Sequence, residues 1–177
     1  MVANFLAGGA TVSALARQVD AKVKIDDAGV ANPIPGDTSE LVDFKMANGT
    51  RNFTVGPAMS AEHVVEMINR DAGFATELAK DGADLVAVGE MGIGNTTAAS
   101  AITAVMLDVT PEAVTGHGTG IGEAARLKKA RVVATAIEVN RPDSADPLGV
   151  LGKVGGYEIA LLAGLILKAA GEKFWSF

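Results

Sequence analysis

Val86–Ser100 reads VAVGEMGIGNTTAAS, and the order of its parts decides the fold. A short apolar run stops at Gly89, Gly92 and Gly94 follow, and Asn95-Thr96-Thr97 opens a stretch of helical composition. Strand, glycine-rich turn and helix start are the pieces of an α/β unit. The unpaired N–H groups and positive dipole end of such a helix suit an oxyanion. A P-loop would follow GxxxxG with lysine and then Ser or Thr. Here Asn95 takes the lysine position and a carboxylate, Glu90, sits inside the loop, so a phosphate bound there needs its cation from elsewhere. Glu90 can hold a ribose hydroxyl or stabilise a cationic transition state. A tight strand-to-helix turn, capped by Asn95 or Thr96, accounts for the same glycines.

Downstream of the loop, Thr110-Pro111-Glu112 has the N-cap, N1 proline and acidic first turn of a short helix. A second glycine cluster, Gly116–Gly122, contains Gly118-Thr119-Gly120 and precedes a helix from Glu123 to about Val139, where Asn140-Arg141-Pro142 stops it. Its Leu127, Ala130, Val133 and Ile137 form the apolar stripe. Arg126, Lys128, Lys129 and Arg131 form a cationic cluster, and periodicity does not separate Lys128 from Lys129 as the missing cation. Asp146-Pro147 starts another helix, and Gly155-Gly156 leads into a last one, Tyr157–Ala170, ended by Gly171.

Upstream, Leu85–Val88 reads as a buried parallel strand. Ser60 reads as the N-cap of a helix that runs to Lys80 with a break at Asp71-Ala72-Gly73. Asn52–Val55 is a weak strand candidate, and residues 32–56 form a long irregular segment that is either functional or packed on something. Residues 2–19 read as one amphipathic helix in which Gly8-Gly9 admits a close backbone. Ala21–Ile25 reads as a strand running into Asp26-Asp27, and the C-terminal end of a strand is where open α/β sheets meet ligands. Helices far outnumber strands. The expected fold is a helix-rich α/β domain with a partial, Rossmann-like parallel sheet of few strands, or one protomer of an intimate oligomer. Residues 1–170 form its core. Residues 171–177, with Phe174, Trp175 and Phe177, read as a tail that docks on another chain or as a truncation.

Composition narrows the function. Apolar residues make up 49% of the 177 and charged residues 20%, which fits a globular domain and not a disordered chain. A net charge of −6 argues against a nucleic-acid binder. Cysteine is absent, and His63 and His117 lie far apart without ligand spacing, so no metal site is expected and both histidines read as structural or exposed. The longest apolar run, Ile159–Leu167, is far short of the ~20 residues that cross a bilayer. Ala14-Leu15-Ala16 resembles a signal-peptidase site, but no basic residue precedes it, and a cytoplasmic setting is expected.

GEMGIGNTTAAS, together with NFLAGGA at Asn4–Ala10, NFTVGPAM at Asn52–Met59, GTG at Gly118–Gly120 and VGGYEIALLAG at Val154–Gly164, resembles the nicotinate-nucleotide–dimethylbenzimidazole phosphoribosyltransferase family over residues 1 to 170. The resemblance implies phosphoribosyl transfer from nicotinate mononucleotide to a benzimidazole base, giving α-ribazole phosphate and nicotinate in cobalamin nucleotide assembly. No cofactor or metal is implied, because the leaving group already carries positive charge. It implies that Gly92, Ile93, Gly94, Asn95, Thr96 and Thr97 hold the 5′-phosphate, with Lys129 as the cation. Glu90 and Met91 would lie beside ribose and base, Gly118, Thr119 and Gly120 near the nicotinate, and Asp27 would match an aspartate at a strand end. His117 stands where an arginine is common, and Gly122-Glu123 replace acidic positions. The family's general-base glutamate is expected beyond Ala170, outside this sequence. That leaves two expectations: an active enzyme, as a homodimer or completed by a second chain, or a nucleotide-binding half-subunit without turnover of its own.

Overall fold

The computed structural model of the chain describes residues 1–171 and 175–176, with Asp71, Ala72, Trp175 and Ser176 as backbone alone. It is a helix-rich α/β structure with small parallel sheets. The chain forms two compact units, Met1–Gly49 and a second that begins at Thr50.

In the first unit the expected single helix is two, α1 (Val2–Leu6) and α2 (Thr11–Gln18). Gly8 breaks it by taking φ +68°, a left-handed conformation that glycine adopts without strain. Arg17 Nη1 then donates to Gly8 O at 3.2 Å. What comes close at Gly9 is a side chain: a Cβ there would lie 3.2 Å from Asn4 Cγ. The strand expected at Ala21–Ile25 lies later, as β1 (Ile25–Asp27), and pairs in parallel with β2 (Leu41–Asp43), which sequence patterning does not suggest.

Asp26 on β1 has an unusual position. Its Oδ1 is buried with no hydrogen-bond partner among the described residues. Desolvation raises its pKa from 3.8 to about 6, against a smaller lowering by Lys24. The folded value lies above the unfolded one, so the fold binds this proton more tightly, and stability is lost as pH rises through about 6. Asp26→Asn is therefore expected to stabilise the chain at pH 8 by about 1–2 kcal/mol, a figure discounted because water still reaches the group. The gain should vanish at pH 4. Urea unfolding of both proteins at the two pH values checks this, and an equal difference at both would remove ionisation as the cause.

The second unit holds six helices among the described residues: α3 (Ala61–Lys80), α4 (Asn95–Leu107), α5 (Pro111–Val114), α6 (Glu123–Asn140), α7 (Pro147–Val154) and α8 (Tyr157–Gly171). Ser60 Oγ caps α3 by accepting from His63 N at 3.3 Å, and Asp146 Oδ1 caps α7 by accepting from Gly149 N at 3.0 Å. Thr110 precedes α5 in extended conformation but makes no side-chain cap bond. The break expected in α3 at Asp71–Gly73 does not occur, and the helix continues to Lys80. Tertiary packing overrides the glycine. Val64, Met67 and Ala75 of α3 are fully buried, and α8 buries Ala160, Leu161, Leu165 and Ala169 in the same pairing.

Asn52–Val55 is not a strand. Asn52 Oδ1 accepts from Thr54 N at 3.0 Å and makes a turn, as asparagine does when its side chain replaces a backbone acceptor. The following Ala58 and Met59 are buried and donate their amides to Lys153 O and Gly152 O at the end of α7. Within the irregular segment itself, Phe53 packs on the helical core and its carbonyl accepts from Asn140 Nδ2 of α6 at 2.6 Å, so this end of the segment is packed. Strand β3 (Leu85–Val86) is shorter than expected and exposed rather than buried on both faces, with Leu85 56% accessible. It pairs in parallel with β4 (Trp175–Ser176), so part of the tail joins a strand of its own chain. Phe174 and Phe177 lie outside the described residues.

Candidate functional site

The glycine-rich loop leads from β3 to α4, and Gly94 makes the turn with φ +94°. α4 buries a face of small side chains, Ala98, Ser100, Ala101 and Ala104. α6 meets it with Ala130, Val133 and Ala136. Small residues on both sides let the helices come close. Val150 and Val154 of α7 complete this core, with Phe53, Ile102, Val105 and Ile137 packed on it. Ser100 Oγ lies 2.8 Å from Thr96 O and 3.0 Å from Val114 O, tying the first turn of α4 to the end of α5.

This packing gathers several of the residues singled out above. Lys129 Nζ reaches from α6 to donate to Thr96 Oγ1 in the first turn of α4. A Cβ on Gly118 would lie 3.3 Å from Thr96 Oγ1 and 3.6 Å from Lys129 Nζ, so the second glycine cluster passes over the same spot. Burial lowers the pKa of Lys129 below that of an ordinary lysine. Lys128, one residue earlier, is exposed. Arg126 is engaged elsewhere: it donates to both carboxylate oxygens of Glu123, at 2.9 and 2.6 Å, and to Thr115 O at 3.1 Å. That pairing holds the Arg126 pKa up and the Glu123 pKa down.

The histidines have partners. His117 Nδ1 lies 2.8 Å from Ile121 O, within the second glycine cluster. His63 Nδ1 lies 3.1 Å from the hydroxyl of Tyr157, whose pKa burial raises.

On the other side of the α4 start stand carboxylates. Glu90 Oε2 accepts from Gly92 N at 2.5 Å. Asn95 N donates to Gly92 O at 3.0 Å and Thr97 N to Gly94 O at 2.9 Å. Three amides that the sequence suggests as anion donors are therefore satisfied inside the loop. Asn95 Nδ2 donates to Glu158 Oε1 at 2.7 Å, from the first turn of α8. Sequence reasoning misses Glu158, although the Gly155-Gly156 pair before an acidic first turn is a signal. A Cβ on Gly156 would lie 2.7 Å from Glu158 Oε2, so only glycine leaves the carboxylate room to fold back there. Met91 and Ile93, 62% and 91% accessible, present apolar surface at the loop tip. Thr119 and Gly120 follow Gly118 on an exposed turn, with Gly120 N donating to His117 O at 3.0 Å.

Asp27 belongs to the first unit. It is buried, and its Oδ1 accepts from Gly29 N at 2.8 Å and Val30 N at 2.7 Å. With Asn32, Thr38, Asp43 and Lys45 it lines a cleft of about 250 Å³. Among the described residues no helix is long and apolar enough to cross a membrane.

A loop with one half-buried lysine, a helix N-terminus and two carboxylates can hold a singly phosphorylated ligand and stabilise positive charge beside it. Known proteins match the chain over nearly its whole length. The phosphoribosyltransferase family profile matches residues 1–175. The nicotinate-nucleotide–dimethylbenzimidazole phosphoribosyltransferase of Geobacter sulfurreducens is 48% identical over 173 residues, covering 98% of this chain and 49% of the relative. That of Halalkalibacterium halodurans is 45% identical over 172 residues, covering 96% and 47%. The crystal structure of CobT from Thermus thermophilus superposes with a TM-score of 0.92 at 40% identity, over 99% of this chain and 52% of that one. The chain spans about half the length of the curated relatives it matches. By profile, by identity and by superposition, the chain belongs to the nicotinate-nucleotide–dimethylbenzimidazole phosphoribosyltransferase family.

Proposed function

We propose that this chain binds nicotinate mononucleotide with its 5′-phosphate at the start of α4 and serves transfer of the phosphoribosyl group to dimethylbenzimidazole, giving α-ribazole phosphate and nicotinate. The observation that carries this reading is the meeting of Lys129 Nζ, Thr96 Oγ1 and Gly118 at a helix N-terminus. The lysine that a P-loop would take from its own loop is supplied here from α6. Met91 and Ile93 offer apolar faces to the aromatic rings, and Thr119 and Gly120 serve the nicotinate, Gly118 itself lying with Thr96 and Lys129 at the phosphate.

The chemistry needs little else from these residues. The bond from C1′ to the pyridinium nitrogen breaks with its electron pair leaving on nitrogen, so the charge of the leaving group is neutralised. Positive charge then builds on C1′ and the ribose ring oxygen. The acceptor's unprotonated ring nitrogen attacks the opposite face with its lone pair, inverting C1′, and the proton on its other ring nitrogen is released to solvent. Glu90, anchored beside Gly92, supplies negative charge for the oxocarbenium-like state. A homodimer working in the cytoplasm completes the proposal, and exposed apolar side chains such as Leu107, Ile166 and Leu167 are what a self-association surface would cover.

The test is turnover by the purified chain with nicotinate mononucleotide and dimethylbenzimidazole, read as released nicotinate and ribazole phosphate. Binding of the mononucleotide without product would restrict the chain to holding the nucleotide. Glu90→Gln is expected to keep mononucleotide binding but to slow turnover by ~10²-fold or more, the scale of a lost transition-state contact. Undiminished turnover would take Glu90 out of the chemistry.

A further inference from the structure

Asn95 stands where a P-loop has its lysine, and what holds Asn95 is a second carboxylate from a different helix. Glu158 lies in the first turn of α8, folded back over Gly156, and its Oε1 accepts from Asn95 Nδ2 at 2.7 Å. It is also near Gly92: a Cβ there would lie 2.9 Å from Glu90 Oε2, 3.2 Å from Asn95 Cβ and 3.9 Å from Glu158 Cδ. The start of α4 thus carries both signs of charge, Lys129 against Thr96 and the carboxylates of Glu90 and Glu158 around Gly92.

This pattern is costly for a general phosphate loop, since each carboxylate repels the ligand. It is useful for one kind of ligand. A single phosphate can take the lysine side and the helix dipole. A second or third phosphate that extended over Gly92 would meet the carboxylates of Glu90 and Glu158 there. Tyr157 secures the neighbouring position, since its buried ring carries a hydroxyl 3.1 Å from His63 Nδ1 on α3. Glu158 therefore projects from a fixed helix start.

We propose that Glu158 fits the loop to a single phosphate, positioning Asn95 through the hydrogen bond and repelling any second or third phosphate with its charge. This rests on the mononucleotide site proposed above. Glu158 is a positioning and selectivity residue, and the two roles separate by substitution. Gln keeps an oxygen for Asn95 Nδ2 and removes the charge, whereas Ala removes both.

Calorimetric titration of the full chain with nicotinate mononucleotide and with ATP decides the matter. The wild type is expected to prefer the mononucleotide. Glu158→Gln should shrink that preference about tenfold by gaining affinity for ATP, as expected for removing one unit charge near a bound phosphate chain. Glu158→Ala should also lose mononucleotide affinity, by roughly fivefold, because Asn95 is no longer held. An unchanged preference in a folded Glu158→Gln protein overturns the proposal, as does a wild type that binds both ligands equally. If Glu158→Ala does not fold, the ratio in Glu158→Gln still decides between these outcomes. Nicotinate release after dimethylbenzimidazole is added to the mononucleotide samples is a separate readout: binding without release overturns the transfer reading, while the affinity ratio still judges Glu158.

Discussion

Gly164→Ala is expected to lower the thermal midpoint of the second unit by roughly 6–12 °C, the equivalent of about 3 kcal/mol of overpacking. The reason is the identity of the atoms in the way. A Cβ on Gly164 of α8 would overlap Ile68 O and lie 2.8 Å from Ile68 C and 2.9 Å from Ile68 Cα, all backbone of α3. A flexible side chain could turn aside, but a helix backbone cannot. The added methyl must push α3 and α8 apart along the stripe of Val64, Met67, Ala160, Leu161 and Leu165 that the two helices bury. Gly73→Ala gives the opposite sign. Gly73 is exposed inside α3, has no positive φ, and a Cβ there would meet nothing within 4 Å. That substitution should stabilise by about 0.5–1 kcal/mol, because alanine loses less backbone entropy in a helix. Thermal or urea unfolding of the two variants checks both. Equal shifts of one sign would mean that general helix propensity, and not the contact with Ile68, governs Gly164.

The contrast between these glycines marks what the sequence can and cannot reveal. Helix boundaries that depend on local chemistry are legible: Ser60 before α3, Pro111 in α5, Asp146 before α7 and the Gly155-Gly156 pair before α8. Elements that depend on partners are not. Gly73 reads as a helix break because its cost is local, whereas the burial of Ala75 that carries α3 onward comes from other helices. β2 has only three residues, and its pairing with β1 joins segments separated by the turns around Pro33 and Gly36. No short-range pattern signals such a pairing. Leu85–Val86 looks buried from composition but is an exposed short strand, because burial is decided by what lies over it.

The site divides in the same way. The loop, its helix start and Glu90 can be read directly, since glycine spacing and charge are local properties. The stripe that α6 buries differs from the expected one, since Leu127 is 38% accessible. The face that α6 turns inward instead carries Ala130, Val133 and Ala136, with Asn140 donating to Phe53 O at 2.6 Å. Steps of three and four back from these residues reach exposed Leu127 as well as Lys129 and Arg126, so what separates the lysines is burial, Lys129 being half-buried and Lys128 exposed. Glu158 is hidden for a different reason: it acts across 63 positions of sequence on Asn95, and only the packed helices bring them together.

Lys129→Ala is expected to weaken nicotinate mononucleotide binding by roughly 10- to 100-fold while leaving the fold intact, the range for losing a charged hydrogen bond of about 1.5–3 kcal/mol. The fold should survive because Lys129 is only half-buried and its ammonium pairs with the Thr96 hydroxyl at the rim of the α4–α6 contact, while Ala130 and Val133 beside it fill the core. The loss should be large because Lys129 is the cation that the described residues bring onto Thr96, and the carboxylates of Glu90 and Glu158 lie nearby around Gly92. Removing the lysine takes away its charged contact while the carboxylates of Glu90 and Glu158 remain around Gly92. Lys128→Ala, at an exposed position one residue earlier, should change affinity less than about twofold, as a screened surface charge does. The pH profile supplies a further distinction. Burial lowers the pKa of Lys129, so wild-type affinity should begin to fall at a lower alkaline pH than an ordinary lysine would produce, as the ammonium deprotonates. Lys129→Ala should lack that alkaline limb altogether. Calorimetric dissociation constants across pH 6 to 10 measure both effects. An unchanged constant in Lys129→Ala would remove this lysine from the phosphate site, and an alkaline limb that persists in the variant would assign the titration to another group.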